Sequence, residues 1–206
     1  MAESSNRMIA LLDYGAGNVG SVLKAVRHLG YEAQPVDRPE QLAVAHKIIL
    51  PGQGHFGTMM KALANCHLSE TLRETLAAGK PFLGICLGLQ ALYQGSDEAK
   101  EAAGLGLLAG RVQRLRDVFK VPHVGWSQLE IRRHDGLFRG VADRSFVYYC
   151  HSYCAPETRE TTAVTEYGQR FAAAAEFDQV WAVQFHPEKS GTAGLKVLAN
   201  FKELAL

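Results

Sequence analysis

From Met8 to Leu12 the chain is uninterrupted apolar sequence, closed by the turn-forming stretch Asp13-Tyr-Gly-Ala-Gly-Asn18. A run this short and continuous predicts a strand buried on both faces. Helical spacing follows at Val22, Val26 and Leu29. The same strand, loop and helix sequence recurs twice. Lys47 to Leu50 reads as a strand, Pro51-Gly-Gln-Gly-His-Phe-Gly57 as its turn, and about Met59 to Ala78 as one helix; Pro81 to Cys86 then reads as a strand that runs into another helix. Strands alternating with helices predict a mostly parallel sheet covered on both faces, the α/β/α sandwich. The second half changes character. Val112 to Leu115, Ser127 to Arg132, Phe146 to Tyr153, Thr162 to Glu166, Ala172 to Phe177 and Val180 to Phe185 read as strands with short turns, expected as antiparallel additions to the sheet. A closing helix, Gly194 to Leu204, carries apolar residues at Leu195, Leu198, Phe201 and Leu204. With no repeat, low-complexity stretch or linker, residues 1–206 read as one domain, residues 1–7 being a short N-terminal extension.

Composition narrows the class of function. Of 206 residues 47% are hydrophobic and 21% charged, enough for a substantial core. The 22 basic and 21 acidic side chains leave a formal charge of +1, so no global field draws the chain to nucleic acid or to an acidic membrane; a small neutral or zwitterionic substrate fits better. No apolar run reaches the roughly 20 residues of a membrane span, and the opening residues lack a signal peptide's apolar core. A cytoplasmic location is expected. Cys66, Cys86, Cys150 and Cys154 are too few and too irregular for a disulfide framework. Cys150-His-Ser-Tyr-Cys154 invites a metal reading, but on one strand its cysteines stand about 13 Å apart, too far to share an ion or a disulfide. No metal or organic cofactor is expected.

The chemistry concentrates in three short stretches. In Lys80-Pro-Phe-Leu-Gly-Ile-Cys-Leu-Gly-Leu-Gln90, Cys86 falls where a strand ends and a helix begins, with Gly84 and Gly88 two residues to either side: a cysteine version of the nucleophile elbow. Small residues let the backbone turn tightly, and the free amides of a helix start favour a thiolate. A small buried residue at a strand end is the plain alternative for Cys86. In Val180-Trp-Ala-Val-Gln-Phe-His-Pro-Glu-Lys-Ser190 a strand delivers His186, and the stiff Pro187 sets Glu188 where its carboxylate can hold the far imidazole nitrogen. Nucleophile, base and orienter follow, both motifs lying at one edge of a parallel sheet, where ligands bind. Acyl transfer also needs donors for an oxyanion. Leu87 supplies one amide directly after the nucleophile, and the turn Pro51-Gly52-Gln53-Gly54 supplies a second from Gln53 or Gly52.

Pro51-Gly-Gln-Gly54, Gly84-Ile-Cys-Leu-Gly-Leu-Gln90 and Phe185-His-Pro-Glu188 resemble, in order and spacing, the class I glutamine amidotransferases. Gly15-Ala-Gly-Asn18, Gly54-His-Phe-Gly57, Pro122-His-Val-Gly-Trp126, His151-Ser-Tyr153 and His186-Pro-Glu-Lys-Ser190 are similar to those of the glutaminase subunits of imidazole glycerol phosphate synthase, a likeness that runs from Met8 onward. The resemblance implies a flavodoxin-like fold and a Cys86–His186–Glu188 triad acting on L-glutamine. It also implies a heterodimer with a (β/α)8-barrel cyclase that consumes the ammonia in histidine biosynthesis. It places Gly54, Gln90, Glu98, His151, Ser152 and Tyr153 at the glutamine, and Asn18, His123, Trp126, Tyr148 and Lys189 near the partner and the ammonia passage. Two positions depart from the pattern: Gln53, where a small apolar residue is usual, and Ser127, where asparagine is common. A backbone donor survives the first change, so it bears on the tuning of activity. Amidotransferases of anthranilate, purine or pyridoxal phosphate synthesis and free-standing γ-glutamyl hydrolases share the triad; a flavodoxin-like binding module without catalysis is the alternative of another kind.

Overall fold

The computed structural model describes residues 8–15 and 18–204; Ala16 and Gly17 of the first predicted turn, and the extension 1–7, lie outside them. The first half runs β1 (Ile9–Leu12), α1 (Val19–His28), β2 (Ala33–Val36), α2 (Pro39–Val44), β3 (Lys47–Gly52), α3 (Phe56–Asn65), α4 (Leu68–Ala77), β4 (Phe82–Cys86) and α5 (Leu87–Gln90). The second half runs β5 (Tyr93–Ser96), β6 (Ala99–Ala103), β7 (Leu108–Arg114), β8 (His123–Gln128), β9 (Glu130–Ile131), β10 (Phe146–His151), β11 (Tyr153–Cys154), β12 (Thr161–Glu166), β13 (Arg170–Phe177), β14 (Val180–Val183) and α6 (Gly191–Glu203).

The main sheet has the order β2-β1-β3-β4-β14-β13-β12-β9. Its first five strands are parallel and reproduce the flavodoxin-like order, while β13, β12 and β9 add antiparallel. The period-2 alternation explains why these strands read as solid apolar runs. Ile9 and Leu11 of β1 and Ile49 of β3 enter one core, whereas Ala10, Leu12, Ile48 and Leu50 enter the other. Both faces are dry, and each buried Leu or Ile contributes about 1.5–3 kcal/mol relative to exposure.

Several expectations are corrected. The single helix expected from Met59 to Ala78 is two, because His67 adopts φ +56° and breaks the backbone course. The apolar positions carry the signal: Leu63 to Leu68 is a step of five, which would turn Leu68 about 140° away on one straight helix. The helix after Cys86 is a single turn. Not every later strand joins the main sheet. β8 and β10 pair only with each other, splitting the predicted Ser127 to Arg132 and Phe146 to Tyr153 strands, and β11, β7, β5 and β6 form a small sheet. Among the described residues no helix is long and apolar enough to cross a membrane.

Candidate active site

β4 lies between β3 and β14 with all three parallel, so Gly52 pairs with Cys86 on one side and Val183 with Ile85 on the other. The carboxyl ends of three adjacent strands therefore deliver the glycine turn, the cysteine and the histidine loop to one edge. Cys86 takes φ 55° and ψ −104°, a backbone state that costs a non-glycine residue about 1–3 kcal/mol and that marks an elbow. The glycines around it are packing requirements. A Cβ at Gly84 would stand 2.6 Å from the Gly88 carbonyl oxygen, one at Gly88 2.1 Å from the Leu50 oxygen, and one at Gly52 2.5 Å from Leu87 Cβ. Free amides remain after Cys86, but the one-turn α5 has little of the macrodipole that a long helix would supply.

The side chains of His186 and Glu188 are 2% and 1% exposed, and imidazole Nδ1 lies 3.0 Å from Glu188 Oε1. Burial alone pushes the imidazole down. Cys86, on its Nε2 side, and the Glu188 carboxylate overcome that and raise it above the ordinary histidine range. Nε2 has no partner at normal hydrogen-bond geometry. The loop is stitched in place. His186 N–H donates to the Tyr148 carbonyl at 2.9 Å, Ser190 Oγ donates to the His186 carbonyl at 2.6 Å, and Tyr148 N–H donates to Ser190 Oγ at 2.9 Å. Gly194 lets α6 pack directly beneath, since a Cβ there would meet the Pro187 oxygen at 2.1 Å.

A cavity of about 280 Å³ opens over the sulfur, lined by Gln53, Gly54, Cys86, Leu87, Gln90 and Glu98 on one side and Cys150 to Tyr153 with Lys189 on the other. All six residues expected at a glutamine thus border it. Gly54 takes φ +97°, which glycine alone adopts without strain. Glu98 Oε2 accepts the Phe56 amide at 2.7 Å, tying the start of α3 to the pocket rim. Gln90 donates to the Tyr153 carbonyl at 2.8 Å and leaves its own Oε1 buried without a partner.

A family described as "Glutamine amidotransferase class-I" matches residues 10–204. The chain belongs to the class-I glutamine amidotransferases. It is 48% identical over 198 residues to the imidazole glycerol phosphate synthase subunit HisH of Methanothermobacter thermautotrophicus, covering 96% of this chain and 98% of that protein. It is 46% identical over 200 residues to the subunit of the same name from Moorella thermoacetica, covering 96% and 95%. The fold also matches solved structures: PurLQS from Thermotoga maritima (TM-score 0.74, 19% identity, 95% of this chain and 97% of that one) and the glutaminase domain of Trypanosoma brucei CTPS with bound acivicin (TM-score 0.65, 16% identity, 96% and 94%).

In this amidotransferase the five residues assigned to the partner side do not form one group. Trp126 and Tyr148 are register partners on the outward face of β8 and β10, their rings 6.0 Å apart, with Lys189 Nζ 5.8 Å from the Tyr148 ring centre. Val124, Trp126 and Phe146, all more than half exposed, make that face an apolar patch. His123, three residues before Trp126, has the opposite strand parity and points inward. It stacks on Tyr149 and Tyr167, meets His151 Nε2 through Nδ1 at 3.2 Å and Ser127 Oγ through Nε2 at 2.9 Å. Asn18 lies beside Glu188, its Nδ2 donating to Glu188 Oε1 at 3.4 Å. Cys150 is exposed and Cys154 buried, and both are free thiols. Among the described residues no three His, Cys, Asp or Glu side chains are arranged to hold a metal ion. The sequence reading missed Ser190 as the loop's anchor and Gln184 beside the nucleophile. Gln184 had a signal: it is the lone polar residue in the apolar run Val180 to Phe185, and it is fully buried.

Proposed function

We propose that this chain is the glutaminase subunit of an imidazole glycerol phosphate synthase, one domain releasing ammonia from L-glutamine for a cyclase partner. The observation that carries the chemistry is the convergence of Cys86, the buried His186–Glu188 pair and the Gly52–Gln53 turn on three adjacent strand ends. Cys86 Sγ attacks the side-chain carbonyl carbon, and the resulting oxyanion is met by the amide of Leu87 and that of Gln53 or Gly52. His186 gives its proton to the departing nitrogen as the C–N bond breaks; a water deprotonated by His186 then cleaves the γ-glutamyl thioester, and thiolate and glutamate leave. Gln90, Glu98, His151, Ser152 and Tyr153 border the space for the substrate's amino-acid end, and Gln90 Oε1, buried and unpartnered, is available to its ammonium group. No metal or organic cofactor enters this scheme.

The partner is a (β/α)8-barrel cyclase that adds the ammonia's nitrogen to its own nucleotide substrate, which is split into imidazole glycerol phosphate and AICAR. The apolar Val124–Trp126–Phe146 face carries Tyr148, and Lys189, which borders the cavity, lies against the Tyr148 ring; that face suits the docking role. The test is glutamate release by the chain alone and with such a cyclase and its nucleotide ligand, in wild type and Trp126→Ala. Stimulation by the cyclase that Trp126→Ala weakens supports the pairing. A rate indifferent to the cyclase leaves the glutaminase and removes the assigned pathway.

A further inference from the structure

We propose that Gln184 is a further catalytic residue, its side-chain amide serving as a fixed N–H donor to the sulfur of Cys86. This rests on the reading of Cys86 as the nucleophile. Gln184 is fully buried one residue beyond β14, with Nε2 3.5 Å from Cys86 Sγ and Oε1 3.1 Å from Gln90 Nε2. An amide can ordinarily be turned end for end, so which atom faces the sulfur must come from the surrounding hydrogen bonds. Here one backbone group decides it. The Tyr153 carbonyl can only accept, so the Gln90 atom 2.8 Å away must be its nitrogen. That nitrogen can pair with Gln184 only through Gln184's oxygen, which turns Gln184's N–H toward Cys86.

The second lone pair of the same carbonyl is taken by His151. With Nδ1–H donated to Tyr153 at 2.9 Å, His151 Nε2 must accept from His123 Nδ1–H at 3.2 Å, and His123 Nε2 must accept from the Ser127 hydroxyl at 2.9 Å. Two neutral imidazoles and two carboxamides are thus held in one polarity by a single oxygen. The network carries no formal charge, and its outlet is the donor aimed at the sulfur. Sulfur is a weak acceptor when neutral and a stronger one as thiolate. The donor therefore acts before attack, when Sγ holds the electron pair that becomes the C–S bond. It acts again when the tetrahedral intermediate collapses and that bond's pair returns to sulfur.

Gln184→Met keeps the length and removes the donor; Gln184→Glu keeps an acceptor for Gln90 and, once ionised, replaces the donor with an acceptor-only carboxylate. The readout is the pH profile of iodoacetamide alkylation at Cys86, followed by peptide mass spectrometry so that Cys66 and Cys150 are resolved, with circular dichroism and melting as fold controls. Both variants are expected to move the midpoint of alkylation up by about one pH unit, Gln184→Glu further than Gln184→Met. Both should lower kcat about tenfold, with the KM for glutamine held within about twofold in Gln184→Glu. If Gln184→Met fails to fold, the isosteric Gln184→Glu carries the test. Profiles that overlay the wild type in a folded variant, while Cys86→Ala is inactive, overturn the role of Gln184 alone. An active Cys86→Ala overturns the nucleophile and this inference together.

Discussion

His151 lines the cavity over Cys86 and His186 lies on the other side of that sulfur; both are buried imidazoles, and they are driven in opposite directions. His186 faces a carboxylate and a thiol and is raised. His151 is lowered to about 3 by burial and by its neighbours His123 and His186, and His123 to about 4 by burial. The difference is that desolvation alone favours the neutral ring, and only an adjacent anion reverses it. One histidine is thereby equipped to carry a proton through a reaction cycle. The other two are equipped to keep fixed tautomers and hold the pocket wall.

The largest effect is expected at Cys86. Cys86→Ala should reduce glutamate release at least about 10⁴-fold, as loss of a nucleophile that acts as part of a unit does. It should also lower the pH at which His186 titrates, followed by NMR of its ring proton, because the sulfur is the largest influence raising it. Glu188→Gln makes the surroundings of His186 more like those of His151. Turnover measured with saturating glutamine is expected to fall about 100-fold, within the range for lost acid–base catalysis, and the pH–rate profile to shift downward.

The parallel strands were legible in the sequence because β1, β3 and β4 are dry on both faces and therefore continuously apolar. β2 was not, since its Gln34 and Pro35 are exposed and read as loop. The grouping of Cys86, His186 and Glu188 at one sheet edge was legible because these residues are few, chemically specific and placed at or just beyond strand ends. The inward turn of His123 was in principle legible from strand parity, since His123 and Trp126 are three apart and cannot share a face. The pairing of His123 with His151 was not, because it depends on the register of β8 against β10, 28 residues apart in sequence. Gln184's contact with Cys86 likewise needs two strands that meet only in the sheet.

Stability against pH sharpens the contrast. His123 and His151 have folded values below the unfolded value of about 6.5, so the unfolded chain binds more protons and stability is lost as pH falls from about 6.5 toward 4. Urea unfolding between pH 7 and pH 5 should register up to about 1.4 kcal/mol per pH unit for each imidazole. His151→Gln should flatten that slope. His186, raised, has the opposite sign: its contribution is complete below about 6.5 and is lost as pH rises through its folded value. The smallest effect is expected at the end of the neutral chain. Ser127→Ala removes the hydroxyl bonded to His123 and should cost about 0.5–1.5 kcal/mol in the same assay, with alkylation of Cys86 unchanged.

The most direct test is to mix the chain and an imidazole glycerol phosphate cyclase subunit with glutamine, quench in acid during turnover and map the γ-glutamyl mass increment by peptide mass spectrometry. The account predicts the increment on the peptide carrying Cys86 and nowhere else, absent in Cys86→Ala. Glutamate released with no adduct on Cys86, or with the adduct on another residue, would contradict it.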